Sequence, residues 1–322
     1  MCLDAVVLIR HLPNEELALL QPLFEVVFKH PVSLELLHWK YGDQRGESWL
    51  AESADGQPVM HCGLYFRDVM LDGGMLRVAQ LVDLMAPPKS KGLSRKDSPF
   101  TVLTRTILAG LPRPDNPSGV GFGFPSDRAM RLGVSMGVYR EVDRLMELEF
   151  APVRRRFGPR WRLLSVINAG DAAILGVLWT RMAQDLSAFA VGIRDVRYLQ
   201  QRYLAHPEKH YTLMLIESFW WKKPIGLAII GPGGDRRELL DIVCAWKDVP
   251  EVIGAAQCWL AENSGKALLF SLTERFARQL DSFAVRCEPT QFRIMGNPFS
   301  LPASIASLEG RWWLTGGDTD YR

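Results

Sequence analysis

Four short segments of this sequence recur, in the same order, about half a chain later. Leu37-His38-Trp39-Lys40-Tyr41 is echoed by Leu199-Gln200-Gln201-Arg202-Tyr203, and the turn at 55–59 by 221–225. Leu81-Val82-Asp83-Leu84 is echoed by Leu239-Leu240-Asp241-Ile242, and Ser126-Asp127-Arg128 by Thr273-Glu274-Arg275. The separations run from 147 to 166 residues, and an ordered set of matches at similar spacing points to a duplicated fold. Length agrees, because 322 residues exceed what one hydrophobic core usually serves. The expectation is an N-terminal domain at 1–152, a proline- and arginine-rich linker at 153–160, and a C-terminal domain at 161–322.

Within the first copy, patterning predicts a strand over 4–10 and a helix capped by Asn14 with Leu17, Leu20, Phe24, Val27 and Phe28 at helical spacing. Ser33 caps a second short helix. Strands at 48–52, 58–69 and 75–85 are joined by turns at Asp55-Gly56 and Asp72-Gly73-Gly74, so they read as an antiparallel meander. Ser98-Pro99 opens a helix with Phe100, Leu103, Ile107 and Leu111 on one face. A short strand at 121–124, a helix capped by Ser126 and closing strands over 138–150 complete the copy.

The stretch 79–100 carries the chemistry. A strand ends at Pro87-Pro88, a loop brings Lys89, Ser90, Lys91, Gly92, Leu93, Ser94, Arg95 and Lys96, and a helix N-terminus follows. Free backbone N–H groups, a positive helix end and a glycine that allows close approach are what a phosphate needs. A lysine-rich loop with one glycine also reads as a solvated surface turn. Neither G-x-x-x-x-G-K-[ST] nor G-x-G-x-x-G occurs here. The second copy has Trp246-Lys247-Asp248-Val249-Pro250-Glu251 at this place, without glycine and with acids, so a phosphate is expected only in the first copy.

Composition excludes several classes. Net charge is only +2, so no global electrostatic drive toward nucleic acid exists, although Arg154–Arg162 is locally basic. Five scattered cysteines form no metal or disulfide pattern, and His206 and His210, with Pro207 between them, read as loop surface rather than metal ligands. No metal is expected. The opening MCLDAVVLIRHL carries Asp4 and lacks a basic stretch, and the longest apolar run is too short to span a bilayer. A cytoplasmic protein without a membrane partner is therefore the expectation.

The predicted order is strand, helices, antiparallel strands, phosphate loop after the fourth strand, helix, fifth strand, helix and closing strands. It resembles the GNAT superfamily of acyl-CoA N-acyltransferases, over essentially the whole chain as a tandem of two such domains. Gly121-Phe122-Gly123-Phe124-Pro125-Ser126-Asp127-Arg128-Ala129 is similar to the fifth strand and fourth helix of tandem members, which often read F-P-N-x-x-A. The Trp39-Lys40-Tyr41 segment and the Trp312-Trp313 ending are also similar to that group. The fold class implied is α/β (α+β): two tandem GNAT-like domains, each a mixed, mostly antiparallel sheet flanked by helices.

The resemblance implies acetyl-CoA or another acyl-CoA as co-substrate, with Leu84, Met85, Lys89, Ser90, Lys91, Gly92, Leu93 and Ser94 as its binding residues. Against the family's [RQ]-x-x-G-x-[GA], Gly92 matches and Lys89 stands in for the arginine. It also implies splayed fourth and fifth strands, with a backbone N–H near Leu84–Met85 free to polarise the acyl carbonyl. Direct transfer to the amine of a small molecule or sugar then needs a base and an acid. Asp83 is the base candidate, with structural pairing as its other reading. The family's helix-four tyrosine would fall near Leu132-Gly133 and is missing; Tyr139 is the nearest replacement acid, or packing. Trp39, Tyr41, Gln80 and Trp312, with Trp220, Trp221 and Trp313, are read as lining a substrate cleft, or singly as core or rim. Two other functions stand beside acyl transfer from acyl-CoA: a non-catalytic binding protein that kept the fold, and an aminoacyl-tRNA-dependent transferase using the 154–162 cluster.

Overall fold

The computed structural model describes residues 8–87, 97–114, 116–155, 157–301, 306 and 308–319. The elements in chain order begin with β1 (Leu8–Leu12), α1 (Leu20–Phe28), α2 (Leu34–Tyr41), β2 (Gly46–Glu52), β3 (Pro58–Leu71) and β4 (Gly74–Met85). They continue with α3 (Pro99–Ala109), β5 (Gly121–Gly123), α4 (Asp127–Ser135), β6 (Arg140–Phe150), β7 (Arg160–Leu164), α5 (Ala169–Asp185) and β8 (Ala190–Gly192). Then come α6 (Val196–Leu199), β9 (Thr212–Glu217), β10 (Pro224–Ile230), β11 (Arg236–Cys244), α7 (Val249–Glu262), β12 (Ala267–Thr273), α8 (Glu274–Leu280), β13 (Arg286–Gly296) and β14 (Trp312–Trp313).

Local chemistry sets most of these boundaries. Ser33, Ser98 and Ser126 each accept a backbone N–H at the start of α2, α3 and α4, as their positions predict. Asp72 and Gly73, at φ 51° and 75°, form the double left-handed turn that a tight hairpin between β3 and β4 requires. The first helix departs from expectation. Asn14 opens a 3-10 turn, Asn14–Leu19, and the α-helix begins only at Leu20. Pro22 explains this: it has no N–H to give to the carbonyl four residues back, so it is tolerated only in the first turn. His206 is another departure. It is buried, and its Nδ1 accepts the N–H groups of Glu208 (3.1 Å) and Lys209 (3.0 Å).

The chain forms two compact units, and neither is a simple half. Unit 1 comprises 1–68, 76–142 and 293–309; unit 2 comprises 69–75, 143–292 and 310–322. In unit 1 the strand order is β1-β2-β3-β4-β5, closed by the end of β13, where Met295 and Gly296 pair antiparallel with Gly123 and Phe122. In unit 2 the order is β7-β9-β10-β11-β12, closed by the end of β6, where Leu145–Phe150 pair antiparallel with Leu268–Thr273. The two orders are the same, position for position, and each contains one parallel pair, β4 with β5 and β11 with β12; off this order, unit 2 also pairs β8 with β14 in parallel. Each unit is therefore closed by a strand from the other half of the sequence.

Unit 1 buries two apolar layers. Ala79 and Leu81 of β4 pack with Phe100, Leu103 and Ile107 of α3, while Val82 and Met85 pack with Leu20, Phe24 and Leu37 of α1 and α2. Each such buried Val, Leu, Ile, Phe or Met side chain contributes about 1.5–3 kcal/mol against exposure. In unit 2 a continuous core takes in Trp313 and Tyr203. Among the described residues, no helix is long and apolar enough to cross a membrane, and no cluster of three or more His, Cys, Asp or Glu could hold a metal.

Candidate functional site

The parallel pairing of β4 with β5 covers Ala79 to Leu81, and β4 then runs on to Met85. Just past the paired stretch lies Asp83, at φ 44°, a left-handed backbone inside a strand. The side-chain alternation breaks there. Leu81 faces the α3 layer and Val82 the α1–α2 layer; the Asp83 side chain also turns to α2, after which Leu84 returns to the α3 layer and Met85 to the other. Successive residues pointing to one face mark a β-bulge, which bends a strand and interrupts its ladder. Unit 2 carries a matching irregularity: the β10–β11 register shifts as Ile229 pairs with Asp241 and Ile230 with Leu239.

The Asp83 carboxylate is buried in a polar network. Lys40 Nζ donates to Oδ1 at 2.7 Å and Oδ2 at 2.8 Å, and the Tyr41 hydroxyl donates to Oδ2 at 2.7 Å. Burial opposes ionisation, but the Lys40 ammonium and the hydrogen bonds from Lys40 and Tyr41 outweigh it and hold the carboxyl below its ordinary value. Beneath it, His61 of β3 lies 2.8 Å from the Asp83 carbonyl through Nδ1 and 2.9 Å from Ser48 Oγ through Nε2. A carbonyl only accepts, so Nδ1 carries the proton and Nε2 accepts from the serine. Burial pushes the His61 pKa down from 6.5 to about 4, so the ring is neutral at pH 7. Tyr41 and Ser48 also line a pocket of about 450 Å³, with His11, Glu15, Glu47 and Arg77 on its walls.

Unit 2 repeats the tyrosine–aspartate pair. Tyr203 donates to Asp241 Oδ2 at 3.1 Å, as Tyr41 does to Asp83. The cation differs: Arg194 takes the place of Lys40 and bridges Asp241 (3.0 Å) and Asp318 (2.6 Å). Burial, reinforced by the Asp318 charge, raises the Asp241 carboxyl above its ordinary value despite Arg194.

The remaining sequence-selected residues fall in several places. Lys89, Ser90, Lys91, Gly92, Leu93 and Ser94 lie outside the described residues; Leu84 is half-buried and Met85 buried at the end of β4. Tyr139 is buried in unit 1, edge-on to Phe100 with ring centroids 6.1 Å apart, and burial pushes its phenol up. A Cβ on Gly133 would come within 2.0 Å of that ring, so the absent side chain in α4 is the space Tyr139 fills. Gln80 is buried and accepts from Arg67 Nε at 2.6 Å; Trp39 is half-buried. Trp312 and Trp313 are buried in unit 2, whereas Trp220 and Trp221 are exposed. Sequence reasoning assigned no site role to Lys40, Ser48 or His61. The available signal was polar residues inside otherwise apolar strand and helix faces.

No protein-family model matches the sequence, and no curated protein matches it either. Solved structures do. A conserved Enterococcus faecalis protein of unknown function, described as a probable N-acyltransferase, aligns over 90% of this chain and 72% of its own, with TM-score 0.66 and 13% identity. A GCN5-related N-acetyltransferase from Kribbella flavida aligns over 95% and 74%, with TM-score 0.62 and 14% identity. A tandem GNAT protein from the clavulanic acid biosynthesis pathway aligns over 90% and 97%, with TM-score 0.58 and 12% identity. The chain has a tandem GNAT fold. At these identities the likeness speaks for architecture. Within the tandem GNAT fold, Asp83 occupies the bulged part of β4 of the first copy and Asp241 the corresponding part of β11 of the second.

Proposed function

We propose that unit 1 transfers an acyl group from an acyl-CoA, acetyl-CoA being the first candidate, to the amine of a small molecule. The single observation that carries this reading is the β4 bulge, directly past the end of the β5 pairing and before the basic segment that leads into capped α3. A strand that leaves its neighbour there exposes main-chain N–H groups, and a donor near Leu84–Met85 would polarise the thioester carbonyl. Lys89, Ser90, Lys91, Gly92, Leu93 and Ser94, which precede α3 in the sequence, would receive the pyrophosphate. The amine nitrogen attacks the carbonyl carbon, the C–S bond breaks, the ammonium gives up a proton and the CoA thiolate gains one. The Kribbella flavida neighbour, named as an N-acetyltransferase, supports the reaction class. A cytoplasmic location follows from such a co-substrate.

In this reading Asp83 positions the strand and is not the base. Both of its oxygens already accept from Lys40 or Tyr41, and a carboxylate held below its ordinary value by those partners is a poorer proton acceptor. The equivalent Asp241 makes the same tyrosine bond in the copy without the basic loop, so the pair belongs to the fold rather than to the chemistry. Tyr139, buried, is no closer to being a working acid. These placements favour one second reading, an acyl-CoA-binding protein without turnover.

A thermal-shift titration with acetyl-CoA, longer acyl-CoAs and free CoA tests the first step. A ligand of the folded state raises the midpoint in a concentration-dependent way. Gly92→Asp should remove the shift and leave the ligand-free midpoint unchanged. Turnover with any amine separates the enzyme from the binding protein, and no shift at millimolar ligand defeats both.

A further inference from the structure

In unit 2, the turn between β9 and β10 reads Ser218-Phe219-Trp220-Trp221-Lys222-Lys223. Turns of this kind are normally built from Gly, Asn, Asp and Ser. Here Trp220 and Trp221 are 82% and 77% exposed, and Phe157, whose ring lies 5.7 Å from that of Phe219, is 67% exposed. The tip is well formed rather than frayed: Ser218 N donates to Lys223 O at 2.9 Å, Lys222 N donates to Ser218 O at 3.1 Å, and Lys222 sits at φ 50°. Around it run Lys222, Lys223, Arg154, Arg155 and Arg160, all exposed. A groove of about 700 Å³ next to the tip is lined by those three arginines with Trp161, Phe219 and Glu262. Glu262 lines the same groove, and Glu217 sits opposite Arg160 in the β7–β9 ladder.

We propose that this hairpin tip docks unit 2 onto an anionic phospholipid surface, with Trp220 and Trp221 entering the headgroup region and the basic residues facing lipid phosphates. Tryptophan suits that layer because its ring is apolar and its N–H still finds a partner. Lysine and arginine around an apolar wedge supply the attraction to anionic headgroups. Single-stranded nucleic acid fits less well. Bases stack on the open faces of aromatic rings. Here Phe157 and Phe219 meet at 70° and Phe219 and Trp220 at 82°, and the Arg160 guanidinium lies 5.9 Å over the Phe219 ring. The inference is independent of the acyl-transfer reading, because every residue in it belongs to unit 2.

The test is co-sedimentation of the full chain with vesicles of phosphatidylcholine alone and of phosphatidylcholine mixed with phosphatidylglycerol. Binding is expected to the mixed vesicles, weakening as salt is raised. Trp220→Ser with Trp221→Ser should lower the partition coefficient by at least about tenfold, and Lys222→Gln with Lys223→Gln should lower it for anionic vesicles only. Both pairs are exposed, so an unchanged thermal midpoint will certify the fold. No sedimentation with anionic vesicles overturns the proposal. So does equal binding by the tryptophan variant, or binding of a single-stranded RNA oligonucleotide with none to vesicles.

Discussion

The role proposed for Asp83 rests on one buried ion pair. Its carboxylate and the Lys40 ammonium are both almost out of water, at 5% and 10% side-chain exposure. Removing one charge from such a pair strands the other, which costs about 3–5 kcal/mol. Asp83→Asn is therefore expected to lose about that much stability in urea unfolding, and Asp83→Asn combined with Lys40→Met to recover most of it. A folded Asp83→Asn protein of normal stability, with slowed turnover, would instead restore Asp83 as the base. His61 gives a second test at this scale. Its pKa falls from 6.5 to about 4 on folding, so the unfolded chain binds the proton first as pH drops. Its stabilising contribution is complete above pH 6.5 and is lost as pH falls toward 4, by about 3 kcal/mol in all. Replacing His61 with Asn, which keeps a donor for the Asp83 carbonyl, should flatten stability across that window; an unchanged slope would show that another group titrates there.

At the scale of elements, what was legible in the sequence was what is local. Ser33, Ser98 and Ser126 mark helix starts and Asp72-Gly73 a hairpin, because a cap or a turn is written in adjacent residues. The repeated tyrosine and aspartate segments were legible as echoes, and the structure joins each tyrosine to its aspartate in the same way in both units. The β4 bulge was not legible: its signature is a left-handed φ at an ordinary aspartate, sustained by Lys40 and Tyr41 more than forty residues away. The His61–Ser48 bond was hidden for the same reason, since it joins two strands whose register only the fold supplies. Gly133 of α4 is an intermediate case, visible as a departure from family pattern but explained only by the Tyr139 ring. Alanine at 133 would gain about 1 kcal/mol of helix propensity and lose about 1–3 kcal/mol to overpacking. Net destabilisation is expected, with Gly133→Ala in a Tyr139→Leu background costing less than in the natural chain. Additive costs in that double-mutant cycle would show that the two positions do not share space.

Across the whole molecule, the duplication and the closing strands pull in opposite directions. Two copies of one strand order suggest two domains separable at the linker near residues 153–160. Yet unit 1 is completed by Arg293–Glu309, and unit 2 contains Asp143–Phe150, from ahead of that linker. A fragment of residues 1–152 would lack the strand that pairs with Gly123 and Phe122, and the buried Asn297 side chain that donates to the carbonyls of Leu108 and Gly119 at 2.9 and 2.8 Å. It would also carry the β6 residues whose partners lie in β12. Exposed, unpaired strand edges of this kind associate with other chains. The fragments 1–152 and 161–322 are thus expected to be unfolded or aggregated when made apart, and to give a cooperative thermal transition when made together. Circular dichroism with sedimentation velocity reads both outcomes. A monomeric, cooperatively melting 1–152 fragment would mean that β5 needs no strand from the far half, and that the exchange adds to a unit already stable on its own.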